Sequence, residues 1–223
     1  MMELLCLDNR ILVCVKPAGV LSTDEPGGLP DLLRAQLGGQ EVCLRTVHRL
    51  DRVVGGVMVL ARSRQAARLL SAQVADHTFR KEYLAVVHGR PEEESGLFRD
   101  LLARSKEERK TYVTHTPGKD AREAVLRYRL LDCREGLSLV RVALETGRTH
   151  QIRAQFSARG LPLAGDRKYG APEPAREMEG IALWSHALTF CHPQTGQQVS
   201  FSAPPPGAFP WSLFDGKISE ISR

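Results

Sequence analysis

Residues 56–89 read GVMVLARSRQAARLLSAQVADHTFRKEYLAVVHG, and this stretch decides the fold class of the 223-residue chain. The continuous apolar run at 56–61 predicts a buried strand. Residues 64–76 place apolar side chains on one face at helical spacing, which predicts an amphipathic helix lying on the core. Residues 79–88 are again strand-like and end at a Gly-Arg-Pro turn. The stretch therefore reads as a strand, a helix and a second strand.

Segments of the same kinds lie on both sides of it. Further strands are predicted at 11–15, 125–131 and 137–144. One further helix is predicted to follow a loop at 23–30, and another is predicted at 150–159. The last two strands are joined through Arg134-Glu135-Gly136, a candidate hairpin. Because strands outnumber helices and several are sequence neighbours, we expect an α+β fold with flanking helices and a mixed, largely antiparallel sheet.

Two segments are predicted to lie outside the regular elements. Residues 92–110 alternate acidic and basic side chains, which favours a solvated loop over a dedicated RNA-binding segment. Three consecutive prolines at 204–206 predict the end of a domain that spans residues 1–206. Residues 207–223 are then expected to form a C-terminal tail.

Composition excludes several functional classes. Five scattered cysteines without C-x-x-C spacing indicate reduced thiols rather than a disulfide framework or a zinc site. The chain shows neither a signal-peptide pattern nor an apolar stretch long enough to span a membrane, so we expect a soluble, cytoplasmic protein. The net charge of +5 and the pI near 9.1 permit a nucleic-acid partner without requiring one.

Charged residues are concentrated in two unusual segments. The first is His48-Arg49-Leu50-Asp51, just before the strand at 56–61. The second is TGRTHQIR at 146–153, followed by GDRKYG at 165–170. Both place charges at a strand end or a helix start, where side chains can reach a cleft. Leu50, between two charged residues, suggests a loop that is anchored inward while its charges face outward.

These segments are similar to motifs of the RluA-type pseudouridine synthases. The chain matches the H-R-L-D and T-G-R-T-H-Q-I-R motifs, and 81–89 resembles K-x-Y-x-A-x-V-x-G. Lys16-Pro17-Ala18-Gly19 resembles the K-P-x-G opening, and 162–170 and 192–193 continue the family order, so the resemblance runs from about Ile11 to Pro206. The resemblance implies a pseudouridine synthase fold with a central RNA-binding cleft. It also implies an isomerase that detaches a uracil base in RNA and rejoins it to its ribose through carbon.

The chain departs from the family pattern at defined places. Val54-Gly55-Gly56 stands where the family often has T-S-G, which removes two hydroxyl groups near the catalytic loop. Ala154-Gln155 stands where many members have V-H. Because the first predicted strand begins at Ile11, the S4-type RNA-binding domain that many relatives carry at the N-terminus is not expected.

The resemblance assigns the catalytic roles to three residues. Asp51 is the catalytic carboxylate, which attacks the sugar or the base or takes a proton from C2′; outside the motif, such an aspartate would be a loop or capping residue. Arg148 is its cationic partner, with a surface, phosphate-facing arginine as the alternative. Tyr83 stacks on the target uracil and its hydroxyl helps to remove the C5 proton, with a core tyrosine as the alternative.

Further residues are candidates for substrate binding. Arg49 resembles the residue that enters the space left by the extruded nucleotide, with a phosphate contact or a structural ion pair as rivals. Ile152 is either the apolar floor beneath the uracil or an ordinary core residue. His48, in the same motif as Arg49 and Asp51, and His150 fit structural histidines better than metal ligands. Candidates for phosphate contacts are Arg52, Arg153, Arg167 and Lys168.

The partners follow from the same reading. We expect a monomer that acts on a locally unpaired uridine in rRNA or tRNA, with no cofactor and no metal. The main alternative is a catalytically impaired RNA-binding or RNA-folding module of the same fold. A methyltransferase or a nuclease is remote, because neither a cofactor-binding glycine loop nor a cluster of metal carboxylates is visible.

Overall fold

The structure, a computed structural model, describes residues 1–173, 177–178 and 180–222. In chain order the strands are β1 (Leu4–Leu7), β2 (Ile11–Lys16), β3 (Arg45–Thr46), β4 (Gly55–Ala61), β5 (Arg80–His88), β6 (Ser95–Ser105), β7 (Lys110–Thr114), β8 (Arg122–Arg134), β9 (Leu137–Leu144), β10 (Leu183–Cys191) and β11 (Gln198–Ser202). The α-helices are α1 (Leu29–Leu37), α2 (Arg64–Ala75), α3 (Gln151–Ser157) and α4 (Asp215–Ile221). Short 3-10 helices cover Arg167–Tyr169 and Trp211–Phe214.

The chain divides into two compact units, and the first comprises Met1–Lys81 and Trp184–Pro204. Its central strand β4 pairs antiparallel with β2 and β3 and parallel with the start of β10, while β1 pairs with β2 and β11 with β10. All seven residues of β4 are buried, as the uninterrupted apolar run predicts. Helix α2 begins after Ser63, whose side chain accepts a hydrogen bond from the Ala66 N–H, and buries Ala66 and Leu70 against this sheet.

The second unit comprises Glu82–Leu183 and Pro205–Arg223. Its strands run in the order β5, β9, β8, β6, β7, and the pairs from β9 to β7 are antiparallel. Helix α3 packs on β6 and β7, where the Phe156 ring contacts the Phe98 ring at 5.1 Å between centroids. The pairing in both units confirms the α+β prediction and the mixed, largely antiparallel strand arrangement.

The strongly periodic segments agree with their predicted elements. The predicted strands at 11–15, 56–61 and 79–88 correspond to β2, β4 and β5 within a residue or two. The predicted helices correspond to α1, α2 and α3, and the hairpin turns at Glu135-Gly136, both of which have positive φ. These assignments are therefore confirmed.

The loop predicted at 92–110 is wrong over most of its length. Residues Ser95–Ser105 form β6, which pairs with β8 on one side and β7 on the other, and the turn between β6 and β7 contains only residues 106–109. The strand buries Phe98 and Leu102, while Leu97 and Arg99 are exposed. Charged residues fall on both faces of this strand, Arg99 on one and Asp100 and Arg104 on the other, so the segment lacks the regular apolar–polar alternation that marks a half-buried strand.

The C-terminal residues are more ordered than a tail. The segment after Pro205 forms the 3-10 helix Trp211–Phe214 and α4. Trp211, Phe214 and Ile218 are buried in the second unit, and the 3-10 helix contacts β8. The predicted boundary at residue 206 lies close to Pro204, where the first unit ends, but the residues beyond it contribute to a hydrophobic core.

Candidate active site

The H-R-L-D segment forms the loop between β3 and β4 of the first unit, and a buried serine anchors it. Ser22 Oγ donates to the Leu50 carbonyl at 2.8 Å and accepts from the Leu50 N–H at 3.1 Å. Leu50 is 6% exposed, Arg49 is exposed and Asp51 is half-buried. The inward anchor at Leu50 agrees with the expectation; of the two charged residues, Arg49 faces solvent and Asp51 is half-buried. The Ser22 contact fixes the backbone between the two charged residues.

Lys16 provides a second anchor for the same loop. Its side chain is fully buried, and Nζ donates to the carbonyls of Pro17 (2.9 Å), Val20 (2.7 Å) and Arg52 (3.4 Å). The Arg52 carbonyl also accepts from the Gly19 N–H at 2.8 Å. Burial lowers the pKa of Lys16 to about 8, and the nearby Asp51 carboxylate opposes that shift. The K-P-x-G turn is thus tied to the loop that carries Asp51.

His48 lies in the core of the first unit. Its Nε2 accepts a hydrogen bond from the Val59 N–H at 3.2 Å, and its ring lies 5.3 Å from that of Phe79. Burial, with a smaller contribution from the positive charge of Lys81, lowers the pKa of His48 to about 3. The imidazole is therefore neutral at physiological pH, as a structural histidine would be. A buried side chain engaged in this way does not fit substrate binding.

Tyr83 belongs to β5 in the second unit. Its residue surface is 6% exposed, and the residues that follow it in the strand, through Val87, are also buried. The ring is therefore held in a packed environment. Such an environment suits a ring that must keep one orientation.

Arg148 lies in the turn between β9 and α3, and Gln151 fixes the shape of that turn. Gln151 Oε1 accepts from the Arg148 N–H (2.9 Å) and from Thr146 Oγ1 (2.8 Å), and its Nε2 donates to the Val125 carbonyl (3.1 Å). The Arg148 side chain is exposed, and its Nε donates to the Glu123 carbonyl at 2.9 Å. The sequence did not single out Gln151, although its place at the first position of α3 in the same motif could have suggested a role.

A buried polar cluster surrounds Arg153, the third residue of α3. Arg153 forms a two-pronged ion pair with Asp166, with Nε and Nη2 at 2.6 and 2.8 Å from the carboxylate oxygens. The Arg153 guanidinium also lies 4.8 Å from the centre of the Tyr169 ring. The Tyr169 hydroxyl accepts from the Thr111 N–H and is hydrogen-bonded to His150 Nδ1, both at 2.9 Å. Burial raises the pKa of Tyr169, so the phenol is neutral.

This cluster corrects one expectation. A phosphate contact needs an accessible guanidinium, but Arg153 is 5% exposed and its charge is compensated by Asp166, which is 1% exposed. Arg153 is therefore a core residue, and the predicted phosphate contact does not fit the structure. His150 lies in the same network, as the structural interpretation predicted. Ile152 is 4% exposed at the start of α3.

The other predicted phosphate contacts remain accessible. Arg52, Arg167 and Lys168 are exposed, and Arg167 is paired with Glu173. Exposed cations of this kind can exchange an intramolecular partner for a phosphate at little cost, because surface ion pairs are weak.

The two units carry different parts of the predicted site. The first contains His48, Arg49, Asp51 and Arg52, and the second contains Tyr83, Arg148, Ile152, Arg153, Arg167 and Lys168.

Side chains that could hold a metal do not cluster in the part of the chain that the structure describes: no group of three or more His, Cys, Asp or Glu residues is found there. Across those same residues, every helix is too short or too polar to cross a membrane. All five cysteines are free thiols.

Comparison with known proteins identifies the family. Residues 10–158 match the family model described as RNA pseudouridylate synthase. The chain is 36% identical over 208 residues to the uncharacterized RNA pseudouridine synthase YlyB of Bacillus subtilis, covering 89% of this chain and 67% of the relative. It is 34% identical over 222 residues to the ribosomal large subunit pseudouridine synthase D of Zymomonas mobilis, covering 92% and 69%.

The fold agrees with this relationship. The solved structure of human RNA pseudouridylate synthase domain containing 1 superposes with a TM-score of 0.78 at 25% identity, covering 96% of this chain and 86% of that one. The matched family region contains β2 to β9 and helices α1 to α3, including the loop of Asp51, the strand of Tyr83 and the turn of Arg148. The chain therefore belongs to the RNA pseudouridine synthase family of isomerases.

Proposed function

We propose that this protein converts specific uridines of ribosomal or transfer RNA to pseudouridine, with Asp51 as the catalytic carboxylate. The observation that carries the proposal is the anchored H-R-L-D loop within the region that matches the family. The relative from Zymomonas mobilis, whose name refers to the large ribosomal subunit, favours an rRNA substrate. The free thiols suit a reducing compartment, so we place the reaction in the cytoplasm.

The reaction rearranges bonds within one nucleotide. The N1–C1′ bond breaks, the base turns, C5 bonds to C1′, and the proton on C5 leaves while N1 gains one. Asp51 assists by attacking C1′ or the base, or by taking a proton from C2′. Because atoms and electrons balance without an external group, the proposed reaction requires neither a cofactor nor a metal.

Three further residues have separate roles in the proposed reaction: Tyr83, Arg148 and Arg49. Arg148 supplies the positive charge that orients Asp51. The Tyr83 ring supports the extruded uracil, and its hydroxyl accepts or relays the C5 proton. Arg49, exposed beside the buried Leu50, enters the gap that the flipped base leaves.

RNA is held outside the flipped nucleotide mainly through phosphates. The exposed side chains of Arg52, Arg167 and Lys168 are available for these contacts. Each neutralised phosphate steepens the loss of affinity with salt. Extrusion is cheapest for a base that is already unpaired, which favours loops and single strands as targets.

Release of tritium from RNA that carries 5-tritiated uridine tests the proposal. RNA is isolated from a strain that lacks the gene, incubated with the purified protein, and assayed for tritium in water. We expect time-dependent release that reaches a plateau set by the number of target sites. RNA binding without release would instead support the catalytically impaired RNA-binding module.

We expect Arg148→Lys to reduce the initial rate of tritium release by about 10²-fold, the scale expected when a reacting group loses its orientation. Lysine keeps the charge but lacks the planar fork that can orient a carboxylate while Nε holds the Glu123 carbonyl. Initial rates at saturating RNA measure the effect. Arg127→Lys, at an exposed site paired with Glu145, is the matched control and should act like wild type. A normal rate in Arg148→Lys would mean that Arg148 acts only through its positive charge and that its planar geometry is not required.

Tyr83→Phe separates the two tasks of the phenol. The ring remains, so we expect RNA affinity within about twofold of wild type, whereas tritium release falls by roughly 10²- to 10⁴-fold because the proton acceptor is lost. Filter binding and tritium release measure the two quantities on one preparation. Tyr112→Phe, at an exposed position on β7, serves as the control. Normal turnover in Tyr83→Phe would exclude a catalytic hydroxyl.

A further inference from the structure

Two glycines follow the Asp51 loop, and each lies directly against the start of β10. A Cβ on Gly55 would be 2.5 Å from Trp184 Cζ3 and 3.1 Å from the Lys16 carbonyl oxygen. Gly56 has φ +120°, and a Cβ there would collide with the Ser185 backbone. Real Cβ atoms do not tolerate such distances, so both positions require glycine while β10 stays where it is.

Trp184 is held firmly in this position. It pairs in parallel register with Gly55, and its Nε1 donates to the Ala203 carbonyl at 3.0 Å. The residue is half-buried, and the six-membered part of its ring lies where a Cβ on Gly55 would point. The indole therefore occupies the space that a side chain at position 55 would need.

The same contact reaches the backbone of the catalytic loop. The Val54 N–H donates to the Asp51 carbonyl at 3.0 Å, which closes a tight turn, and Val54 is 2% exposed. Gly55 follows at once beneath the indole. The Lys16 carbonyl also lies next to Gly55, and Lys16 Nζ donates to the Arg52 carbonyl. The turn that carries Asp51 is thus contacted by Lys16 at Arg52, and the glycine that follows it lies next to both the Lys16 carbonyl and the indole.

We propose that Trp184 is a positioning residue for Asp51: its ring packs on Gly55 and fixes the end of the catalytic turn. In this chain it takes the place of the hydroxyl-bearing side chains that often follow the H-R-L-D motif. Gly55 and Trp184 then form an interdependent pair, because a side chain at position 55 fits only if the residue at position 184 is smaller than tryptophan. The proposal rests on the proposed function, because positioning is defined by the Asp51-dependent reaction.

Four variants test the pair by initial rates of tritium release at increasing RNA concentration. Trp184→Ala should lower kcat by about 10- to 100-fold and leave KM within about twofold of wild type. The reason is that a shifted Asp51 carboxylate slows the chemical step, whereas the residues that contact RNA are unchanged. Trp184→Phe keeps a six-membered ring and should retain most of the rate. Gly55→Ser alone should lose both activity and thermal stability, since its Cβ meets the indole. Gly55→Ser/Trp184→Ala should be more active and more stable than Gly55→Ser.

Leu188→Ala provides the control for a general loss of packing. Leu188 lies on the same strand as Trp184 and is fully buried in the core of the first unit. This variant should lose thermal stability but keep the wild-type kcat at a temperature where it is folded. A wild-type kcat in Trp184→Ala, or a double variant no better than Gly55→Ser, would overturn the proposal. If the wild-type protein released no tritium, the proposed function itself would be contradicted. That outcome differs from one in which the wild-type protein is active and only the role of Trp184 fails.

Discussion

Replacing Asp51 by asparagine should abolish tritium release while leaving the fold intact. An amide of the same shape can neither attack as a nucleophile nor accept a proton, so we expect a loss of at least ~10²-fold, the lower end for losing a catalytic acid or base. The contacts that hold the loop use backbone atoms of Leu50, Asp51 and Arg52 and are unchanged by the substitution. Tritium release measures activity, and circular dichroism with a thermal melt measures folding.

Asp24→Asn is the matched control for this variant. Asp24 lies in the loop before α1 and pairs with Arg34, and its side chain is 52% exposed. Losing its charge should leave the rate unchanged. A folded Asp51→Asn protein that still forms pseudouridine would remove the assignment of the catalytic carboxylate, whereas an inactive Asp24→Asn would show that the assay responds to charge changes in general.

The segments with one dominant period were predictable from sequence. Strand β4 is buried on all sides and needs an uninterrupted apolar run, while α2 buries one stripe and needs helical spacing. Each pattern follows from local geometry alone. Strand β6 was missed because charged residues fall on both of its faces, and its pairing with β8 joins residues that are distant in sequence.

The charged residues of the site were predictable in part, because they stand together in short motifs. Residues that support those motifs were not. Ser22, Lys16, Gln151 and Trp184 act on backbone atoms or on a glycine, and only the folded chain brings those targets within reach. Arg153 was misread for a related reason. A cation in a motif suggests a ligand contact, while its true partner Asp166 lies thirteen positions further along the chain.

We expect Arg153→Met to lower the free energy of unfolding by about 3–5 kcal/mol, the usual cost of removing one partner from a buried ion pair. The carboxyl group of Asp166, which is 1% exposed, would then be left without its guanidinium partner. The Tyr169 ring would also lose the cation that lies 4.8 Å from its centre. Urea unfolding followed by circular dichroism measures the change. A phosphate-binding role would predict the opposite pattern, with full stability and a weaker salt dependence of RNA binding.

Two further variants separate burial from charge. In Arg153→Met/Asp166→Leu both charges are removed, so we expect much of the lost stability to return, because apolar groups of similar volume can replace a buried pair. Arg99→Met breaks a pair with Glu123 in which both side chains are more than half exposed, and it should cost less than about 1 kcal/mol. A small effect of Arg153→Met, equal to that of Arg99→Met, would contradict the buried pair. A large effect that the double variant repairs would mean that Arg153 supports the helix following the Arg148 turn by neutralising Asp166.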